Sequence, residues 1–338
     1  MQSLTEFRDE YLQLVLRFLW RQWSALGIAG HGDTGSRWVA DPEALLACTL
    51  TLGRYDSRLF DEVLDWLVAN ERFINVQRLK TVMRKEGFTG TEVLGAVAGL
   101  LAEKGKKAKW RGLGTLDAPP EKDRHLFRQT DNCALPLVGA PDPLFQLYGW
   151  LRNPVDLRGL SGEFPVYSKN SLWMRLRALF GVNARSEIIL HLLLTGRSGS
   201  SPLARQTHYF HRTIQDALSE MQRSGLLMSR RMGRERVYGL TDAELWYRLL
   251  GIEEGDLVWI CWPALLSALE AIWLRIQPDS FGELSPMLQM SELRKLMRDE
   301  GAEKLVRSGV ELRLPDEESL AGMEYLDRLL SALRDLLR

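Results

Sequence analysis

NARSEIILHLLLTGRSGSSPLARQTHYFHRTIQDALSEMQRSGLLMSRRMGRERVYGLT, residues 183–241, decides how the chain is read. Ala184–Leu194 carries Ile188, Ile189, Leu192 and Leu193 at helical spacing. Gly196, Ser198, Gly199, Ser200, Ser201 and Pro202 then interrupt it. A short helix fits Pro202–Gln206, followed by a turn at Thr207–Tyr209. A third helix fits Phe210–Ser224, with Ile214, Ala217, Leu218 and Met221 on one face and Gly225 as its stop. Leu226–Ser229 and Val237–Thr241 have strand character. The basic stretch Arg230–Arg236 between them has Gly233 at its centre, as a hairpin turn requires.

Helix, break, helix, turn, helix and hairpin is the order of a winged helix-turn-helix. On Leu203–Thr207, Tyr209–Gln215 and Leu218–Leu226 the chain resembles the bacterial winged-helix regulators of the MarR/ArsR type. That family usually caps its recognition helix with Ser or Thr, and Phe210 stands there instead. The resemblance implies a transcriptional regulator, a repressor acting as a homodimer on two half-sites of double-stranded DNA. The helical flanks are similar to those of long bacterial proteins that carry such a domain internally, which implies no function.

Charge agrees with a DNA surface. The segment holds nine Arg and no Lys against four acidic residues, net +5, in a chain of net charge zero, so the remainder carries −5. Phosphate binding needs that concentration. With the apolar set of the third helix inward, His211, Arg212, Gln215, Asp216 and Ser219 point outward near its start. Arg can read guanine and Gln adenine in a major groove. The expected DNA-binding residues are Arg205, His211, Arg212, Gln215 and Ser219, with Arg230, Arg231, Arg234 and Arg236 of the wing along phosphates or in the minor groove. The other reading is an interaction subunit, antitoxin-like or partnering a defence enzyme, in which the helical flanks hold a protein and the winged helix is a scaffold.

The rest of the chain is expected to be mainly α. A helical N-terminal domain covers 1–115, a Pro/Gly-rich connector with one helix (Leu144–Leu151) covers 116–182, and a helical C-terminal domain covers 242–338. Ser3–Glu6 reads as a capping box, and Asp41-Pro42-Glu43 as a helix start. Leu59–Asn70 and Asn75–Lys85 have helix-turn-helix spacing, with Gln77, Arg78, Arg84 and Lys85 outward. They form a second candidate nucleic-acid unit beside the plainer reading of a solvated face. The basic run Lys104–Arg111 could track phosphates with Trp110 stacking on a base, or be a charged linker. Leu257–Leu274 has about membrane-spanning length, but Pro263 and Glu270 interrupt it, and a buried helix is expected instead. In 319–338, Leu320, Met323, Leu326, Leu330, Leu333 and Leu337 lie near heptad spacing and either dimerise or pack on their own domain.

Enzyme signatures are weak. Gly30–Gly35 matches GxGxxG but follows a helix rather than a strand, and lacks the Lys and Ser/Thr of a phosphate loop. Gly35-Ser36 with Asp41 and Glu43 resembles a nucleotidyltransferase at the wrong spacing. There is no GxSxG, HExxH or Cys–His constellation, so neither enzyme nor cofactor is expected. His191, His208 and His211 lack the Cys or paired carboxylates of a metal set. Cys48, Cys133 and Cys261 stand far apart, which fits a reducing cytoplasm.

Overall fold

The computed structural model describes residues 4–29, 36–105, 108–114, 122–315 and 323–337. The capping box at Ser3 and the glycine-rich match at 30–35 lie outside them. Helical periodicity becomes α1 (Leu4–Ala25), α2 (Pro42–Thr49), α3 (Ser57–Asn70), α4 (Val76–Glu86) and α5 (Thr91–Gly105). Local chemistry sets their ends. The Asp41 carboxylate accepts from the amides of Glu43 and Ala44, Asn75 accepts from the Arg78 amide, and Gly87 closes α4 at φ 79°.

The connector holds more structure than expected. After α6 (Ala108–Arg111), β1 (Arg124–His125) pairs in parallel with β2 (Trp150–Leu151). The intervening α7 is Pro143–Leu147. The helix expected to reach Leu151 stops early because Gly149 takes φ 75° and turns the chain into β2. A further helix, α8 (Leu172–Phe180), was not expected.

The central segment runs α9 (Ala184–Thr195), β3 (Arg197–Gly199), α10 (Ser200–Thr207), α11 (His211–Arg223), β4 (Leu227–Met232) and β5 (Glu235–Leu240). The Gly/Ser break is therefore partly a strand. In a small antiparallel sheet of order β3-β5-β4, Ser198 and Ser229 flank Tyr238. The hairpin is tighter than its sequence suggested. Met232 pairs with Glu235, so the turn is Gly233–Arg234 alone, with Gly233 at φ 63°. Arg230, Arg231 and Arg236 belong to paired strands.

The chain continues as α12 (Ala243–Leu250), α13 (Trp262–Ile276), α14 (Asp279–Gly282), α15 (Pro286–Leu296), a π-helical turn at Met297–Gly301, α16 (Ala302–Ser308) and α17 (Met323–Leu337). Buried apolar side chains form two clusters. The first joins α1–α5 to α13 and the helices after it, so the flanks expected as separate N- and C-terminal domains share one core. The second gathers α9, α10, α11 and the sheet with Trp246, Leu250 and Leu257. α8 touches both, with Met174 in the first and Leu172, Trp173 and Leu176 in the second.

α13 runs through the first core as the expected buried helix, packed against α1, α2, α4, α15 and α16. Among the described residues no helix is long and apolar enough to cross a membrane. α17 lies on α1, with Leu326, Leu329, Leu330 and Leu333 buried. Of the two readings of the heptad-like seam, the structure takes internal packing. Leu320 lies outside the described residues; Leu326, Leu330, Leu333 and Leu337 are already covered and cannot also form a dimer interface.

Candidate nucleic-acid interface

α11 is strongly two-faced. Ile214, Ala217, Leu218 and Met221 are buried, whereas His211, Arg212, Gln215 and Asp216 are exposed and Ser219 is half-buried. Phe210 holds the N-cap position in extended conformation, and the helix gains no side-chain cap bond there among the described residues. His211 Nε2 instead sits 3.0 Å from Ser200 Oγ and 3.3 Å from Ser201 Oγ, tying the start of α11 to the start of α10. Arg212 Nε donates to Asp216 Oδ2 at 3.1 Å, with the Arg side chain 84% exposed. Such a surface pair holds its partners weakly, so the guanidinium is free to exchange it for an anion. Arg205, Arg230, Arg231, Arg234 and Arg236 are all exposed. Among the described residues Arg231 Nε reaches only the Gly233 carbonyl, at 3.2 Å. Each expected DNA-facing side chain, apart from the half-buried Ser219, thus projects into solvent.

The turn between α10 and α11 is docked, which the sequence did not suggest. Three successive turn residues each meet a residue of α4 or its cap. Arg78 Nε donates to the Thr207 carbonyl at 2.9 Å, His208 Nε2 lies 2.8 Å from Glu86 Oε1, and Asn75 Nδ2 donates to Tyr209 Oη at 2.5 Å. His208 takes the left-handed conformation, φ 59°, that ends α10 and brings its ring to Glu86. The Glu86 carboxylate also receives Arg307 of α16. Burial raises its pKa, but His208 and Arg307 outweigh that and hold it below the ordinary carboxylate value.

Beneath this turn lies a buried ion cluster. Arg78 grips Asp41 with two bonds, Nη1–Oδ1 2.8 Å and Nη2–Oδ2 2.6 Å, and reaches Glu43 Oε2 at 2.7 Å. Arg177 of α8 grips Glu43 in the same bidentate way, at 2.6 and 2.9 Å, and donates to Glu187 of α9 at 2.8 Å. Arg78 also lies over the Trp173 ring, 4.7 Å from its centroid. The members are essentially inaccessible to solvent. Burial pushes the Asp41 carboxyl up, but the charge and hydrogen bonds of Arg78 more than offset this and hold it below its ordinary value. For Glu187 burial wins over Arg177 and Arg78, and its pKa is raised.

These contacts correct two expectations. Arg78, read as outward on a face that either meets nucleic acid or is merely solvated, is buried as the hub that joins α2, α4 and the α10–α11 turn. Gln77, Arg84 and Lys85 are exposed. The face of α4 that carries Arg78 is a docking surface for the central segment. A signal was present: Arg78 is four residues before Val82, on the apolar stripe of α4 rather than beside it. Trp110, read as able to stack on a base, is wholly buried and donates to Glu71 Oε2 at 3.0 Å, so its ring is unavailable. Lys109 pairs with the same carboxylate at 3.0 Å.

The histidines are apart in role. His191 is packed edge-on against Trp259, 4.7 Å between ring centroids, and burial lowers its pKa to about 4. Among the described residues no group of three His, Cys, Asp or Glu is placed to hold a metal ion. No protein-family profile, curated protein or solved structure matches this chain.

Proposed function

We propose that α9–β5 is a winged helix-turn-helix that binds double-stranded DNA, and that the protein is a transcriptional regulator rather than an enzyme. The order helix, strand, helix, helix, hairpin carries this reading, because it leaves the polar face of α11 and four hairpin arginines exposed together on one small unit. In this reading α11 enters the major groove. Arg212 and Gln215 meet base edges, His211 and Ser219 flank them, and Arg205 with Arg230, Arg231, Arg234 and Arg236 contacts the backbone. The docked α10–α11 turn holds α11 at a fixed angle to the helical body, which serves to position the reading head. Repression from two half-sites requires a dimer, and its contacts must lie away from the covered α17 seam. Three unpaired cysteines suit a reducing cytoplasm.

The test compares Arg212→Ala and Gln215→Ala on a selected site and a scrambled one at equal salt. Arg212→Ala is expected to cost about 1–3 kcal/mol on the selected site and less on the scrambled one. Equal losses on both DNAs would mean that α11 positions the protein without reading sequence.

One observation favours the interaction-subunit reading. Leu245 and Leu249 are exposed one turn apart on α12, which follows the hairpin directly, and Leu179 at the end of α8 is exposed too. A partner protein retained at high salt would support that role.

A further inference from the structure

Glu270 is the one acidic residue within the apolar helix α13, and it is 2% exposed. Its Oε1 accepts from the Thr89 amide at 2.8 Å, from Thr89 Oγ1 at 2.8 Å and from Thr51 Oγ1 at 3.2 Å. Its Oε2 is buried with no hydrogen-bond partner among the described residues. Leaving a carboxylate oxygen buried and unpaired is costly, and native proteins rarely do so without a reason. Glu270 lines a cleft of about 600 Å³ bounded by α13, α14, α15, α16 and the end of α4.

The other carboxylates of that cleft have cations. Glu292 meets Arg275 at 3.2 Å, Glu300 meets Lys304 at 3.0 Å, and Glu86 is held by Arg307 and His208. Glu270 has no such ion pair among the described residues. The rest of the lining combines Thr89, Ser267 and Ser280 with an apolar side formed by Leu274, Phe281, Leu284, Leu288 and Leu296. Glu270 is thus the one carboxyl group of the cleft lining without an ion-pair partner among the described residues, its second oxygen buried and unfilled beside the apolar side of the cleft. A hard divalent cation is a poor fit, since it needs several oxygen ligands. A quaternary ammonium has no N–H for the unpaired oxygen.

We propose that this cleft binds a primary ammonium ion carried on an apolar body, its N–H groups on Glu270 and its hydrocarbon against Leu274, Phe281 and Leu284. This does not depend on the DNA-binding reading. Burial pushes the Glu270 carboxyl up to about 7 against the hydrogen bonds from Thr89 and Thr51 and the charge of Lys304. An alkylammonium stays charged through that range, as a lysine does, so its binding draws on the ionised carboxylate and strengthens as pH rises through 7. The neighbouring titratable and charged groups are Cys48, Glu86, Arg275, Glu292, Glu300 and Lys304. Burial raises the Cys48 thiol far above this range, and the charged residues are ion-paired.

The test is calorimetric titration of the 338-residue chain with hexylammonium, 1-hexanol and hexanoate. At pH 8 hexylammonium should bind at least tenfold more tightly than either control. Its affinity should rise about tenfold from pH 6 to pH 8, the change in the ionised fraction of a group titrating near 7. Glu270→Gln should abolish both the preference for the amine and the pH step. Leu288→Arg, at a half-exposed lining position, should weaken the amine at least tenfold while leaving Glu270 intact, and so decides the matter if the Gln variant does not fold. Equal affinity for the three probes, no saturable amine binding, or amine binding unchanged in a folded variant would overturn the proposal.

Discussion

Arg78→Met removes the hub of the buried cluster while keeping the volume and helix propensity of the side chain. Four hydrogen bonds go with it: two to Asp41, one to Glu43 and one to the Thr207 carbonyl. Asp41 keeps the amides it caps, and Glu43 keeps Arg177. Arg177 would still hold Glu43 and Glu187, while Asp41 would be left with no guanidinium partner. Breaking a buried ion pair from one side costs about 3–5 kcal/mol, most of it the uncompensated charge. With a urea dependence of roughly 3 kcal/mol per molar, the unfolding midpoint should fall by about 1–1.7 M. Hydrogen exchange should quicken at 207–209, where the turn loses its anchor, more than in α13. Asp41→Asn in the Arg78→Met background removes the orphaned charge and keeps the helix cap, so the double variant should recover at least about 2 kcal/mol. A loss below about 1 kcal/mol with no recovery in the double variant would refute the buried cluster as the element that docks the turn.

Three further outcomes are expected. Changing Arg230, Arg231, Arg234 and Arg236 to Ala should lower the salt slope of DNA binding by roughly one unit per lost phosphate contact, on every sequence alike, and unaltered affinity would take the hairpin out of the interface. Leu333→Glu buries a charge where the leucine is fully covered, so it should lower stability by more than about 3 kcal/mol without altering the sedimenting mass of the folded fraction; a stable protein of halved mass would instead make α17 a dimer seam. Glu270 binds its proton more tightly folded than unfolded, so its contribution to stability is full below pH 4.5 and is lost as pH rises towards 7. Wild type should therefore lose about 3 kcal/mol relative to Glu270→Gln across that window, as read by denaturation at each pH, and parallel curves would place the titration elsewhere.

Much of the central segment was legible because its signals are local. The Ile214–Leu218–Met221 stripe, the stop at Gly225 and the glycine at 233 each act within a few residues. The three-residue strand Arg197–Gly199 was not legible, because its composition reads as a break and its partner, β5, lies about forty residues onward. The docking cluster was hidden for the same reason. Asp41 and Glu43 explain themselves as a helix start, and only the fold reveals that Arg78 and Arg177 converge on them. Apolar periodicity in 319–338 marks a face that is buried at Leu326, Leu330, Leu333 and Leu337, but carries no information about what covers it, whether α1 or a second chain. Glu270 read as an interruption of a hydrophobic run, since one acid in a sequence cannot show that its oxygen lines a cleft.

The proposed DNA binding by α9–β5 is tested most directly by an anisotropy series with a labelled random-sequence duplex. Of the nine exposed arginines of 183–241, six are expected to meet DNA: Arg205, Arg212, Arg230, Arg231, Arg234 and Arg236. If each neutralises a phosphate, log K should fall linearly with log salt at a slope of about −5, so that affinity drops roughly a thousandfold between 50 and 200 mM. No binding at 50 mM salt by a folded protein, or a slope near zero, would contradict the DNA reading and favour a protein partner.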